Sequence, residues 1–378
     1  MGAPRSAIVT TRGHLDALAA ASLLRVDTDT KAARVYRELI EEAGGPAVLS
    51  GAGAAIRLLD LLALRLGFSE AERPEQVRRA MARARVGLDR AAGHQVGCLG
   101  VGDARYPPRL WQIPDPPGVL WFRGRPEAMS RPLVAIVGAR QATPAGLMVA
   151  RRLARELAQA GLAVVSGLAR GIDGAAHEGA LEADGPTVAV LGSGADVIYP
   201  PEHRDLARRI CDTGALVSES PPGALPLPWR FPLRNRIISG LARAVVVIEA
   251  SEKSGSLITA KAALEQGRDV LAVPGSVASG RYKGGHALIK DGARLVETVD
   301  DVLEEIGWEP SLETQSSSVV NTRVISYLER IMAPCEAYTL DDLVRLSKRS
   351  PPEVLAELAG LELDGRVRRV GGGNFAKT

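Results

Sequence analysis

The sequence predicts an α/β protein built on an extended Rossmann-like, doubly wound parallel sheet, with a helical domain before it and a small domain after it. From residue 133 onward, short apolar runs alternate with alanine-rich helical periods. Runs that are apolar on both faces are typical of parallel strands covered by helices on both sides. Several runs end in glycine loops, as expected at the carboxyl edge of such a sheet. We expect strands at 133–137, 163–165, 187–191, 215–217, 244–249 and 270–273.

Three domains are predicted along the 378 residues. Residues 1–100 alternate Ala/Leu-rich helical periods with glycine breaks and should form an all-helical domain. Residues 101–308 begin with a proline-rich connector and should form the Rossmann-like domain. The helical domain resembles SAM-like or helix-hairpin-helix modules that clamp DNA phosphates. The mixture of Arg and Glu along its helices favours packing and protein interaction instead.

Residues 319–378, which follow a polar linker, predict a winged helix of three helices and a hairpin. Its third helix, at 352–364, carries four acids and no base, so a DNA major groove would repel it. The positive charges lie on the wing at Arg366, Arg368 and Arg369. This pattern favours a protein partner and leaves open contact of the flanking domains with double-stranded DNA.

Composition excludes several classes of protein. The formal net charge is only +3, so a nucleic-acid site must be a local patch. Cys98, Cys211 and Cys335 are isolated and predict neither a disulfide framework nor a zinc site. No apolar run approaches the length of a membrane span. We therefore expect a cytoplasmic protein without a metal, a cofactor or a membrane partner.

The most informative stretch is 227–260. Arg230, Arg234, Arg236 and Arg243 lie between Glu219 and Glu249 with no acid among them, and Phe231 and Asn235 lie between the first three arginines. Arginines neutralise backbone phosphates. This stretch therefore predicts an anion-binding surface suited to the phosphates of a nucleic-acid backbone.

Glycine loops at the strand ends predict further phosphate contacts. Arg140 follows Gly138, Arg170 closes a loop at 166–171, and further loops lie at 192–194 and 274–276. Lys253, Ser254, Gly255 and Ser256 precede another helix. Such loops bring backbone N–H groups close to anions. None has the spacing of a Walker loop, a GxGxxG fingerprint or a GxSxG elbow.

Asp173 and His177 share a helix face at i and i+4. They fit either a general-base pair or a structural pair in which Asp173 ties down the preceding loop and His177 packs beneath it. We favour the structural interpretation, and a catalytic triad cannot be argued. No enzymatic activity is expected.

Motifs at 134–140, 166–177, 192–200, 231–241, 249–260, 273–275 and 288–293 occur in an order that resembles the bacterial DNA-processing protein A (DprA, also called Smf) family. The resemblance covers about residues 105–300. It implies single-stranded DNA binding, a homodimer, protection of incoming DNA and loading of the RecA recombinase in natural transformation. Ala139 and Pro228 depart from the family pattern.

The resemblance carries over to Arg140, to Phe231 as the stacking ring, and to Arg234 and Arg236 around Asn235, with Arg230 adjacent. The predicted nucleic-acid site comprises Gly138, Arg140, Arg170, Arg230, Phe231, Arg234, Asn235, Arg236, Lys253, Ser254, Gly255 and Ser256. None of these side chains is placed to read base edges, so we expect weak sequence preference. The alternative is a nucleotide-binding sensor or nucleotide phosphoribohydrolase, for which Glu219 and Glu249 are the available strand-end carboxylates.

Overall fold

The computed structural model describes residues 31–46, 52–309, 327–333, 336–363, 366–370 and 374–377. The chain divides into two compact units, Met1–Ser311 and Leu312–Thr378. The start of the helix expected at 319 and the glycines at 371–373 lie outside the described residues.

In the described part of the first unit, nine strands form one sheet in the order β1-β2-β6-β5-β4-β3-β7-β8-β9. The strands are β1 Gly97–Gly100, β2 Val119–Gly124, β3 Leu133–Gly138, β4 Ala163–Ser166, β5 Thr187–Val190, β6 Ala215–Ser218, β7 Ala244–Ile248, β8 Asp269–Ala272 and β9 Arg294–Leu295. The strands from β6 across to β9 are parallel. The predicted doubly wound parallel sheet is confirmed.

The strand order reverses at the junction of β3 and β7. Strands β4 to β6 extend the sheet on one side of β3, and β7 to β9 extend it on the other. Gly138 at the end of β3 pairs with Ile248 at the end of β7. A reversal of this kind opens a crevice beyond the carboxyl ends of the two strands.

One edge of the sheet differs from the expectation. Strand β2 pairs antiparallel with β6, and β1 pairs antiparallel with β2. The sequence predicted a proline-rich connector here, because prolines before and after Val119–Gly124 hide a strand whose Leu120 and Trp121 are buried. The sheet is therefore mixed at this edge.

Helices cover both faces of the sheet. They are α1 Lys31–Glu42, α2 Ala52–Arg65, α3 Arg73–Gly93, α4 Pro108–Trp111, α5 Pro144–Gln159, α6 Ile172–Glu182, α7 Arg204–Thr213, α8 Arg230–Leu241, α9 Ser256–Glu265, α10 Lys283–Lys290 and α11 Val299–Glu305. Alternate residues of β3 enter different cores: Val137 packs with helix α8, and Ile136 packs with α5 and α6. This alternation follows the two-residue period of a strand.

The N-terminal helices share a core with the sheet. Leu59 and Leu62 belong to the same buried cluster as Val137 and Val245. Gly87 of α3 lies directly against the buried ring of Trp121, where an added Cβ would be 3.7 Å from the indole. The boundary between a helical and a Rossmann-like domain at residue 100 stays a prediction.

The described part of the second unit is a winged helix, as predicted. Its elements are α12 Tyr327–Ile331, β10 Ala337–Tyr338, α13 Leu340–Ser347, α14 Pro351–Leu363, β11 Val367–Val370 and β12 Asn374–Lys377. The strands form a sheet in the order β10-β12-β11. Thr339 caps α13 by accepting from the Asp342 backbone N–H at 3.1 Å.

Two acids of α14 are paired with arginines within the winged helix. Glu357 accepts from Arg349 at 2.7 Å, and Glu362 lies 3.4 Å from Arg369 of the wing. Arg369 also lies over the Phe375 ring. Arg369 of the wing is therefore engaged within its own unit.

Among the helices of the described residues, none is long and apolar enough to cross a membrane.

His177 is fully buried in α6, and its Nδ1 lies 2.8 Å from Thr187 Oγ1. Thr187 donates its hydroxyl proton to the Val164 carbonyl at 2.9 Å, so the Nδ1–H of His177 must donate to Thr187. Within the described residues Nε2 has no hydrogen-bond partner. The structural interpretation of His177 is confirmed.

His177 should make the fold less stable in mild acid. Burial lowers its pKa from 6.5 to about 3, so the unfolded chain binds a proton first as the pH falls. The free energy of unfolding should fall below pH 6.5 by up to about 1.4 kcal/mol per pH unit from this group. Urea unfolding between about pH 4 and pH 7 measures this dependence.

The matched variant is His177→Gln, which removes the titrating group. Its unfolding free energy should depend less steeply on pH than that of the wild type. Parallel curves for the two proteins would contradict the assignment.

Candidate nucleic-acid interface

A cleft of about 690 Å³ lies where the strand order reverses. Its lining comes from the loops after all six strands from β3 to β8 and from helices α6, α8 and α9. The polar and aromatic lining residues are Arg140, Gln141, Asp173, Tyr199, Phe231, Arg234, Asn235, Glu249, Ser251, Ser254, Ser256, Thr259 and Arg281. The sequence brings these residues together because parallel strands all end at one edge.

The loop between β3 and α5 presents Arg140 at the rim of the cleft. A side chain at Gly138 would overlap the Ile248 carbonyl oxygen, so only glycine lets β3 and β7 end side by side. Buried Glu249, whose φ is 51°, accepts from the Thr143 backbone N–H at 2.7 Å. This carboxylate fixes the loop while the Arg140 side chain stays exposed.

Phe231 stands at the centre of an aromatic and cationic corner. The Tyr199 ring centroid lies 5.6 Å away at an interplanar angle of 50°. The guanidinium carbon of Arg140 lies 5.6 Å from the Phe231 centroid, and that of Arg234 lies 5.9 Å away. Cations beside a partly exposed ring combine phosphate attraction with a base-stacking surface.

Arg234 lies beneath the Phe231 ring and is only 7% exposed. It donates to the Gly167 carbonyl at 2.7 Å, to the Val190 carbonyl and to Asn235 Oδ1 at 3.0 Å. Burial lowers its pKa to about 10, so the guanidinium is still a cation at neutral pH. Arg234 supports the ring and supplies positive potential from within the protein.

Asp173 holds the loop on which Arg234 rests. Its Oδ2 accepts from the Gly167 N–H at 3.1 Å and from the Ala169 N–H at 3.4 Å. Burial raises the pKa of Asp173, while nearby Arg234 opposes this rise. The structural interpretation of Asp173 is confirmed.

The start of α9 forms the other end of the cleft. The hydroxyls of Ser254 and Ser256 are 2.7 Å apart, and Asn235 donates to the Gly255 carbonyl at 3.4 Å. An added Cβ at Gly255 would meet no atom within 4 Å, so the space beside this glycine is open. Lys253 is exposed on the same loop, beside the residues that line the cleft.

Arg170 and Arg230 lie at the margins of the cleft. Arg170 pairs with Glu202, and this hydrogen bond raises the Arg170 pKa. Its side chain lines a small neighbouring pocket together with Arg140 and Phe231. Arg230 donates to the Leu225 carbonyl at 2.7 Å.

Two arginines of the predicted cluster lie elsewhere, which corrects the sequence analysis. Arg236 is buried and pairs with Glu219 at 2.8 Å and with Asp115 at 3.4 Å. Successive helical residues turn by about 100°, so Arg236 cannot share the face of Arg234. Arg243 precedes β7 at the opposite edge of the sheet, over the Trp308 ring.

Five polar or aromatic residues of the cleft were not predicted from the sequence, namely Gln141, Tyr199, Ser251, Thr259 and Arg281. Tyr199 follows the predicted loop at 192–194. Because that loop was expected at the edge of the sheet, Tyr199 could have been predicted to lie near the cleft. Gln141 directly follows Arg140, and Arg281 donates to the Gln141 carbonyl at 2.8 Å. The position of Arg281 carried no signal, because a loop after β8 brings it there.

The fold and the cleft define a Rossmann-like α/β protein with a cationic, aromatic cleft at the switch point, followed by a winged helix. Residues 97–307 match the model of the family described as DNA recombination-mediator protein A, and residues 328–373 match the DprA winged helix domain. The chain belongs to the DNA recombination-mediator protein A family.

Curated relatives are similar over most of their length. Protein Smf of Escherichia coli (strain K12) is 41% identical over 276 residues, which cover 71% of this chain and 74% of that protein. The DNA processing protein DprA of Streptococcus pneumoniae is 45% identical over 203 residues, which cover 54% of this chain and 72% of that protein.

Two solved structures are similar to this one. The X-ray structure of DNA processing protein A from Streptococcus pneumoniae has a TM-score of 0.65 and 34% identity, covering 78% of this chain and 98% of that chain. The structure of DNA processing protein A from Helicobacter pylori, solved to describe its single-stranded DNA binding mode, has a TM-score of 0.51 and 28% identity. That similarity covers 56% of this chain and 95% of the other.

Proposed function

We propose that this chain binds single-stranded DNA in the switch-point cleft and acts as a recombination mediator that protects incoming DNA and loads the RecA recombinase. The observation that carries the proposal is the corner of Arg140, Tyr199 and Phe231, with Arg234 beneath it. Phosphates are attracted to the guanidinium groups, and a base stacks on an aromatic face. A duplex hides its base faces, so single strands should bind more tightly.

The proposed partners follow from the family and from the predicted domains. We place the recombinase and a second copy of this chain, as a homodimer, among them. The flanking helical and winged-helix domains are proposed to add protein contacts, with duplex DNA as a further ligand. The proposed setting is the cytoplasm during natural transformation.

The alternative, a nucleotide sensor or phosphoribohydrolase, needs a strand-end carboxylate that reaches its substrate. Glu219 is paired with buried Arg236, and Glu249 is 1% exposed and accepts from Thr143. Both carboxylates therefore hold the protein together, which favours the DNA-binding proposal.

Fluorescence anisotropy of a labelled single-stranded oligonucleotide and its duplex, at two salt concentrations, tests the proposal. We expect the single strand to bind at least about tenfold more tightly than the duplex, since stacking contributes about 1–3 kcal/mol per base. Binding should weaken as salt rises, because phosphate contacts release counterions.

A competition arm separates the two hypotheses. An unlabelled single strand should displace the labelled one, whereas a nucleoside monophosphate at similar concentration should not. Equal affinity for single strand and duplex, or displacement by the mononucleotide with release of its base, would support the alternative instead.

A further inference from the structure

Residues 225–229, the rim strip, run along one side of the cleft with an alternating pattern. Pro226 and Pro228 line the cleft. Leu225, Leu227 and Trp229 are 64%, 38% and 38% exposed. Single exposed apolar residues are common on proteins, but three large ones together on the rim of a binding cleft indicate an interaction surface.

The rim strip is held in place at both ends. Before it, the Gly223 N–H donates to Asp196 Oδ1 at 2.7 Å, and the Gly194 N–H donates to the Ala224 carbonyl at 2.9 Å. After it, Arg230 donates from its side chain to the Leu225 carbonyl at 2.7 Å. The exposed side chains are therefore presented on an ordered backbone.

Trp229 is paired with a cation. The guanidinium carbon of Arg230 lies 5.0 Å from the Trp229 ring centroid. The same combination of ring and guanidinium occurs two residues further on, where Arg140 lies over Phe231. Single-strand binding proteins place such pairs in series, because successive bases stack on successive rings.

We propose that Trp229, with Arg230 against it, is a second base-stacking platform, which carries the single strand out of the cleft over the rim strip. This inference rests on the proposed function. The occupant is the strand that lies in the cleft, with one nucleotide at Phe231 and a neighbouring one at Trp229. The two positions belong to one path because Pro226 and Pro228 of the rim strip are part of the cleft wall. Trp229 then extends the site without reading base edges, and no sequence preference is added.

Oligothymidylates of about 4 and about 16 nucleotides, the range of site sizes for such surfaces, test the inference by anisotropy. Trp229→Leu should lower the affinity for the longer oligomer by roughly 5- to 100-fold and leave that for the shorter one unchanged. Trp229→Phe keeps a ring and should retain most of the affinity. Leu264→Ala, which truncates a 60% exposed leucine on α9 outside the cleft, is the matched control and should change neither.

Tryptophan emission gives a second readout. Trp121 is 2% exposed, Trp111 is half-buried under the Arg37 guanidinium, and Trp308 is half-buried and donates to the Ala160 carbonyl. None of these three lies on the rim strip, so the longer oligomer should quench Trp229 most strongly. That quenching should be lost in Trp229→Leu. Normal wild-type binding with unchanged affinity and quenching in Trp229→Leu would overturn this inference alone. Failure of the wild type to bind either oligomer would overturn the proposed function, and this inference with it.

Discussion

Replacing Arg236 with leucine is expected to lower the free energy of unfolding by about 3–5 kcal/mol, because the change leaves buried carboxylates without their cation. The Arg236 side chain is 7% exposed, and those of Glu219 and Asp115 are 10% and 13% exposed. Chemical denaturation with urea measures the loss.

Arg170→Leu is the matched control for this change. Arg170 also pairs with a glutamate, but its side chain is 56% exposed, so its loss should cost less than about 1 kcal/mol. The folded fraction of Arg236→Leu should bind single-stranded DNA with wild-type affinity. A stable Arg236→Leu protein that has lost DNA binding would show that Arg236 contacts the strand after all.

Arg140→Ala and Phe231→Ala should weaken single-stranded DNA binding in different ways. Arg140 is exposed on an anchored loop, so its removal should change the unfolding free energy by less than about 0.5 kcal/mol. It should lower affinity roughly 10- to 100-fold. It should also reduce the salt slope, the slope of log affinity against log salt concentration, by about one. Phe231→Ala should lower affinity by about 1–3 kcal/mol with little change in the salt slope.

The double variant should lose most of the binding. The guanidinium carbon of Arg140 lies 5.6 Å from the Phe231 ring centroid. Because the two side chains are neighbours, the affinity losses of the single variants should not add exactly in the double variant. Anisotropy titrations at several salt concentrations give affinity and slope for each variant. Arg155→Ala, an exposed arginine on α5 outside the cleft, controls for loss of charge alone. Equal salt slopes in Arg140→Ala and Phe231→Ala would refute this division of roles.

Local pattern predicted the parallel core of the fold well. The runs that became β3 to β8 are apolar on both faces and end in glycine or polar loops, so each is visible without knowledge of its neighbours. Strand β1 was missed because it is a four-residue edge strand with two glycines. Strand β2 was missed because the prolines before and after it are typical of a connector.

The candidate site was predicted in outline, since glycine loops after parallel strands must meet at one edge. Which of the arginines would lie in the cleft was not predicted, because the sequence does not show the partner of each arginine. Arg236 is neutralised by Glu219 and Asp115, which lie 17 and 121 residues away in the chain. Tyr199 and Arg281 reach the cleft through loops whose paths depend on tertiary packing.

The ordered backbone of the rim strip has a kinetic consequence. Gly223, Arg230 and Glu249 hold the loops around the cleft through hydrogen bonds that exist before any strand arrives. A strand therefore meets a surface that needs little rearrangement, and positive charge at the rim steers its approach. Encounter should be fast for every single strand, and differences between strands should appear in how long each one stays bound.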